Sequence, residues 1–139
     1  DCFANKGIKY AGINKKGKKY HIFGTHMDAG SGIDDINARY ADMREMRDFI
    51  AAQNIPSDEA VIFGGDFNIS PLSSQYKSII DTLHPIIPNP VGYENSTFSG
   101  NTGKIIDHVW ADGKHLIPII ATNEVITMRS IEDTMWLLS

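Results

Sequence analysis

Apolar and polar residues alternate along the first part of the chain. Ile8 and Tyr10, and later Tyr20 and Ile22, stand two positions apart with polar or small residues between them. A period of two is typical of β-strands, and a stretch rich in lysine and glycine separates the two runs. The pattern predicts two strands joined by a turn, followed by a loop in the sequence MDAGSGID.

The spacing of apolar residues changes to three and four from about Asp35 onward. This spacing predicts the apolar face of an amphipathic helix. The segment NIPSDE ends the helix, because Pro56 cannot continue it. The apolar positions are Ile36, Tyr40, Met43, Met46, Phe49 and Ile50.

Four further elements are predicted after this helix. The run EAVIFGGD is short, apolar and bounded by glycine, which favours a strand buried on both faces. In SPLSSQYKSIIDTLH, Ser70 is the predicted cap of a second helix and Pro71 lies in its first turn. The apolar face of that helix comprises Leu72, Tyr76, Ile79, Ile80 and Leu83. After a proline- and glycine-rich segment, IIDHVWAD and LIPIIATNEVITM predict two more strands. Strands separated by helices indicate an α/β or α+β sandwich.

The composition is that of a globular domain, with 42% hydrophobic and 22% charged residues in 139 positions, enough to bury a core. One domain, or part of one, is expected. Thirteen Lys and Arg against seventeen Asp and Glu give a net charge of -4, which argues against a domain that coats nucleic acid by charge alone. The single Cys2 cannot form an internal disulfide.

Polar residues end or interrupt three of the apolar strands. They are His26 after HIFGT, Asp66 and Asn68 after VIFGG, and Asp107 within IIDHVW. Strand ends that share one edge of a sheet bring such side chains to a common crevice. A structural reading stands beside each: His26 as a satisfied structural histidine, and Asp66 with Asn68 as an Asx-turn. Asp107, flanked by apolar residues, would need a partner if buried, and a histidine would serve.

The residues around Asp66 suggest a particular chemistry. Gly64 and Gly65 would let the backbone approach a ligand closely, and Asp66 and Asn68 would point to the same side in extended geometry. A carboxylate that orients water and an amide that donates to a phosphoryl oxygen suit phosphate ester hydrolysis. A histidine would supply a proton or a stabilising cation, and the reaction would require a divalent cation, normally Mg²⁺.

The ordered motifs GTHMDA, GGDFN and IDHVW resemble those of the endonuclease/exonuclease/phosphatase superfamily, also called DNase I-like. Within it, the segment ANKGIKYAGINKKGKKYHIFGTH and the helix ARYADMREMRDFIAAQNIP look most like secreted neutral sphingomyelinases of the sphingomyelinase C type. The resemblance implies an α/β (α+β) fold that is part of a four-layer α/β/β/α sandwich. Residues 1–139 would be the C-terminal larger part of one catalytic domain, without its N-terminal strands and last strands.

The resemblance also implies roles for the motif residues. His26 would stabilise the phosphoryl group or protonate the leaving oxygen, Asp66 would orient the attacking water, and Asn68 would donate a hydrogen bond to the phosphate. Asp107 would orient a histidine found later in the family's sequences. Asp66 and Asn68 are candidates for part of a metal site whose main ligands are expected outside this chain. Rim positions that match less securely, and are not assigned as catalytic, are Asn5, Thr97 and Phe98.

The function expected from the resemblance is hydrolysis of sphingomyelin to ceramide and phosphocholine by a secreted phosphodiesterase that depends on Mg²⁺ or another divalent cation. Its partner would be a phospholipid at a membrane surface, with nucleic acid disfavoured and no stable protein partner predicted. The fragment alone would have little or no activity. Two alternatives stay open: a nuclease or phosphoinositide phosphatase of the same fold, and a non-catalytic structural domain.

Overall fold

A computed structural model describes residues 6–92, 96–97 and 104–126. Within these residues the chain forms a five-stranded sheet, a two-stranded sheet and two helices. The larger sheet has the strand order β1-β2-β3-β6-β4, and β5 pairs with β7. The elements are β1 (Ile8–Lys15), β2 (Lys18–His26), α1 (Ile33–Ala52), β3 (Ala60–Asp66), α2 (Tyr76–Leu83), β4 (Pro85–Ile86), β5 (Asn89–Val91), β6 (Asp107–Asp112) and β7 (Thr122–Glu124).

The predicted hairpin is confirmed, with β1 antiparallel to β2 and Lys15 opposite Lys18. Lys16 and Gly17 form the two-residue turn, and both have positive φ angles, 53° and 77°. Two positive φ angles are the requirement of a type I′ turn, whose twist matches that of the flanking strands. From β2 the chain crosses through α1 to β3, which lies parallel to β2.

The predicted first helix is confirmed, and it begins two residues earlier than expected. The backbone N–H of Gly32 donates to Asp35 Oδ2 at 2.9 Å, which satisfies one free N–H at the start of α1. The buried residues of α1 are Arg39, Met43, Met46 and Ile50. A charged residue therefore occupies one position of the buried stripe.

One face of the large sheet packs against both helices and carries the core. Tyr10, Phe23, Phe63 and Trp110 are register partners on four adjacent strands, so an aromatic row crosses this face. Phe23 and Phe63 are fully buried, and Trp110 is 3% exposed. These side chains join the buried methionines and isoleucines of α1 and α2 in one hydrophobic cluster.

The opposite face of the sheet, called the second face below, lacks a comparable cover within the part of the chain that the structure describes. Ile13 is 48% exposed and Val109 is 66% exposed, while Ile62 is half-buried. A groove of about 470 Å³ runs along this face, bordered by the loop from Leu116 to Ala121. The prediction that β3 is buried on both faces is therefore wrong for the described residues: Val61 and Phe63 face the core, but Ile62, which lies between them, is only half-buried on the second face.

The second helix is shorter than predicted. Residues 70–75 form turns, and α2 begins only at Tyr76. The hydroxyls of Ser70 and Ser73 accept hydrogen bonds from the backbone N–H groups two residues later, at 3.3 and 3.2 Å. Such local bonds compete with helix formation, and Leu72 is left 88% exposed instead of on a buried face.

The last predicted strand is largely wrong as well. Within residues 116–126, the described part of the segment LIPIIATNEVITM, only Thr122–Glu124 is a strand, and it pairs with Asn89–Val91. The preceding residues 116–121 form the loop beside the second face. In the described residues no helix is long and apolar enough to cross a membrane.

Candidate active site

Three of the predicted site residues stand side by side at one end of the large sheet. His26 ends β2 and is the register partner of Asp66, which ends β3. Asp66 is in turn the register partner of Asp107, the first residue of β6. Because β3 is parallel to β2 and antiparallel to β6, two strand ends and one strand start meet at this edge. The structure therefore brings His26, Asp66 and Asp107 together in one row.

The side chains of His26 and Asp66 approach each other within this row. His26 Nε2 lies 3.6 Å from Asp66 Oδ2, and the two side chains are 60% and 28% exposed. This distance is longer than a direct hydrogen bond, so the two side chains leave room for contact with a third group. The carboxylate and the imidazole thus face a common, solvent-accessible space.

Asn68 forms a turn with Asp66 rather than continuing an extended strand. Its φ angle is 52°, and its backbone N–H donates to Asp66 Oδ1 at 2.8 Å. This contact is the Asx-turn considered in the sequence, and asparagine tolerates the left-handed conformation that the turn requires. The expectation of extended geometry between the two residues is therefore wrong.

The side-chain amide of Asn68 ties two loops together. Asn68 Nδ2 donates to the carbonyl of Met27 at 3.0 Å. An amide nitrogen carries two N–H groups, so one donor remains for another acceptor. The loop after His26 is thereby attached to the turn after Asp66.

Main-chain hydrogen bonds fix the same edge of the sheet. The N–H of Met27 donates to the carbonyl of Asp66, and the N–H of Phe67 donates to the carbonyl of Ile106, both at 2.9 Å. Phe67 and Met27 are buried, with exposures of 0% and 1%. The polar side chains of the site are therefore mounted on a backbone that is anchored in the core.

The two glycines before Asp66 let neighbouring strands approach β3 closely. A Cβ atom on Gly65, whose φ angle is 138°, would lie 1.9 Å from the carbonyl oxygen of Thr25. A Cβ atom on Gly64 would lie 2.5 Å from the carbonyl oxygen of His108. These glycines therefore let β2 and β6 approach β3 next to the site, and close approach of the backbone to a ligand stays a prediction.

Asp107 is exposed, so the condition under which it would need a buried partner does not arise in the described residues. The alternation along β6 places His108 and Trp110 in the core and Asp107 and Val109 on the second face. The N–H groups of Ile106 and Asp107 donate to Thr97 Oγ1 at 3.0 and 3.2 Å. Thr97, predicted at the rim, thus contacts the start of β6, whereas Asn5 and Phe98 lie outside the described residues.

His108 is a buried neighbour of the site, and the sequence predicted no role for it. Its Nε2 lies 2.8 Å from the carbonyl of Ile69, and its ring stacks on Trp110 with centroids 4.3 Å apart. Burial lowers the pKa of His108, and the hydrogen bond to Ile69 opposes that shift only in part. A neutral imidazole that donates from Nε2 to a carbonyl is consistent with this environment.

Residues 6–123 match the Endonuclease/Exonuclease/phosphatase family. The chain belongs to this family. It is 31% identical to Sphingomyelinase C of Bacillus cereus over 99% of this chain and 48% of that protein. It is 33% identical to Phospholipase C of Staphylococcus aureus over 93% of this chain and 44% of that protein. The chain therefore spans about half the length of these relatives.

A solved structure shares the fold of this family member. A mutant of beta toxin from Staphylococcus aureus with bound magnesium ions superposes with a TM-score of 0.79 at 29% identity, covering 89% of this chain and 48% of that one. The expected α/β fold of the DNase I-like type is confirmed by this match. The resemblance to sphingomyelinases that the motifs indicated is confirmed by the relatives above.

The described residues of this family member fit only part of a magnesium site. They contain no group of three His, Cys, Asp or Glu side chains that could hold a metal ion. Mg²⁺ is commonly bound through one or two carboxylates together with waters and phosphate oxygens. Asp66 could supply one carboxylate and Asn68 an amide oxygen, so the donor chemistry agrees with magnesium while the number of ligands is incomplete.

Proposed function

We propose that the protein is a Mg²⁺-dependent phosphodiesterase that hydrolyses sphingomyelin to ceramide and phosphocholine. The row of His26, Asp66 and Asp107 across three adjacent strands carries this proposal, because it gathers a base, an acid and a second carboxylate at one exposed edge. The substrate is inferred from the relatives named sphingomyelinase C and phospholipase C.

Asp66 is the proposed base that orients and deprotonates the attacking water. Its Oδ1 accepts the N–H of Asn68, which holds the carboxylate in one orientation. Its Oδ2 faces His26 across 3.6 Å, so this oxygen would accept the proton from water. The two oxygens of one carboxylate would therefore have separate tasks.

His26 and Asn68 are proposed to act on the phosphoryl group. His26, on the exposed side of Asp66, would stabilise the developing charge or protonate the leaving oxygen. The second N–H of the Asn68 amide would donate to a phosphoryl oxygen, with the first engaged by Met27. Asp107 is next in the row. As the family resemblance implies, it would orient a histidine that lies later in the sequences of related proteins.

Magnesium, when bound, would neutralise negative charge on the phosphoryl oxygens. Asp66 and Asn68 are the described residues proposed to contribute to its ligand set. A membrane surface is the proposed place of action because the substrate is a phospholipid. Secretion is the proposed localisation, supported by the similarity to a protein called beta toxin.

The test is turnover of sphingomyelin by the full-length protein carrying single substitutions. Asp66→Ala, Asn68→Ala and His26→Ala should each lower kcat by about 10²- to 10³-fold, as expected when a group that acts in the transition state is removed. Asp58→Ala, at the opposite end of β3, is the matched control and should keep wild-type kcat. Circular dichroism would establish that each variant folds.

Removal of metal provides the second arm of this experiment. EDTA should abolish turnover of sphingomyelin, and added Mg²⁺ should restore it. Turnover that survives EDTA, full activity of Asp66→Ala, or turnover of DNA with none of sphingomyelin would each contradict the proposed function.

A further inference from the structure

Arg39 is a buried cation on α1, and within the described residues it donates hydrogen bonds to loop segments outside its own helix. Only 4% of its surface is exposed. Its Nε donates to Gln75 Oε1 at 2.9 Å. Its Nη1 donates to the carbonyls of Asp28 and Gly30, each also at 2.9 Å. Gln75 itself is 5% exposed, so this polar cluster lies inside the protein.

The acceptors of Arg39 belong to the two segments that leave the candidate active site. Asp28 and Gly30 lie in the loop directly after His26, and Gln75 closes the turns that follow Asn68. The same two segments meet at the site itself, where Asn68 donates to the carbonyl of Met27. Arg39 thus joins, from inside the molecule, the two segments that the site residues join at its edge.

The geometry of this contact requires arginine. A guanidinium is planar and presents its donors in a fixed fork, whereas the ammonium of lysine is a compact point charge. Three acceptors from two segments each lie 2.9 Å from a guanidinium nitrogen of Arg39. The fixed positions of these nitrogens therefore determine where the acceptors lie relative to one another. A buried charge without such acceptors would be strongly unfavourable, so the contact cannot be loosened without cost.

We infer that Arg39 and Gln75 form a clamp that positions His26 and Asn68 for the reaction. Neither residue touches the proposed substrate, so both are positioning residues rather than catalytic ones. The catalytic part of this inference rests on the proposed function, while the placement of the loops does not. Misplacement of reacting groups by about 1 Å can lower a rate by about 10²-fold, which gives the clamp a measurable effect.

The kinetic test uses the full-length protein with sphingomyelin. Arg39→Lys, Arg39→Met and Gln75→Leu should lower kcat by about 10- to 100-fold, with KM changed by less than about threefold, because the transition state depends on placement more than ground-state binding does. Gln75→Glu should stay within about threefold of wild type, because its carboxylate still accepts the hydrogen bond of Arg39. Met46→Ala is the matched control, since it removes buried contacts of α1 two turns further along and should lower stability without lowering kcat at low temperature.

Hydrogen–deuterium exchange provides a readout that is independent of activity. In Arg39→Met and Gln75→Leu, the amides of Met27 and Asn68 should exchange at least about tenfold faster, while those of Phe23 and Phe63 in β2 and β3 keep their protection. Met46→Ala should accelerate the core amides instead. A protein that never hydrolyses sphingomyelin would remove the proposed function and leave this test of the clamp intact.

Two results would overturn the clamp. One is unchanged protection of Met27 and Asn68 in both variants. The other is acceleration spread through the core as in Met46→Ala, which would make Arg39 a general stabiliser of the fold. In an active protein, wild-type kcat in Gln75→Leu would equally refute a positioning role.

Discussion

His108 shows how a single buried residue couples the candidate site to pH. Burial lowers its pKa from the ordinary value of 6.5, so the unfolded chain binds the proton more readily than the folded one. The stabilising contribution is then complete above pH 6.5 and is lost as pH falls through the folded-state pKa. The free energy of unfolding should therefore decrease between pH 7.5 and pH 5.5.

The variant His108→Gln tests this dependence by urea denaturation at both pH values. Glutamine can still donate to the carbonyl of Ile69 but does not titrate, so the variant should lose less stability on acidification than the wild type. Contributions that the two proteins share cancel in the comparison. Equal losses in the two proteins would contradict a role for His108.

The positions of the site residues were predictable, but the directions of their side chains were not. His26 and Asp66 were expected at strand ends and Asp107 within a strand, and the structure places all three in one row. Asp107 was expected to need a partner if buried, because apolar residues flank it on both sides. Both alternating sets in IIDHVWAD contain apolar residues, so the sequence could not decide which set faces the core. Arg39 offered a usable signal: it lies four residues before Met43 on the buried stripe of α1.

The hairpin β1–β2 gives a prediction at the level of one element. Lys16 has a φ angle of 53°, which strains a lysine but suits asparagine, the favoured first residue of a type I′ turn. Lys16→Asn should raise the free energy of unfolding by about 0.5 kcal/mol, and Lys16→Val should lower it. Lys15→Asn removes the same charge from a strand position and should bring no gain. A gain of equal size there would mean that charge, not turn geometry, is responsible.

Elements with a strong period were predicted well, and those without one were not. The hairpin follows from alternation and α1 from helical spacing, whereas the continuous apolar run of β3 indicated a strand but not which of its faces is buried. The first turn of the predicted second helix did not form, because serine hydroxyls accept hydrogen bonds from nearby backbone N–H groups. The strand predicted at residues 116–121 did not form. An apolar run predicts burial but does not determine which strand it would pair with, and here the run borders a groove. Local hydrogen bonds decided the first case, and tertiary placement decided the second.

The second face of the sheet is the surface through which we expect the polypeptide to associate. It presents Ile13, Val109 and the neighbouring groove beside the loop that begins at Leu116. Alternation along the strands assigns His26, Asp66 and Asp107 to the same face. Whatever covers this apolar surface must therefore end beside the candidate active site. The polypeptide of residues 1–139, produced alone, should associate through this surface.

Sedimentation velocity of that polypeptide tests the association. Val109→Asp places a charge on the second face and should shift the distribution toward monomer. Leu72→Asp is the matched control, because Leu72 is even more exposed, at 88% against 66%, but lies in the turns before α2. A wild-type polypeptide that stays monomeric at high concentration would contradict the prediction.

Gly65 gives a way to recognise relatives that have lost activity. The carbonyl oxygen of Thr25 occupies the space that any side chain at this position would need, only 1.9 Å from the place of a Cβ atom. A homologue could keep the counterparts of His26, Asp66 and Asn68 and still lose their arrangement through one added methyl group. Searches for inactive family members should therefore inspect the residue before the aspartate as closely as the aspartate itself.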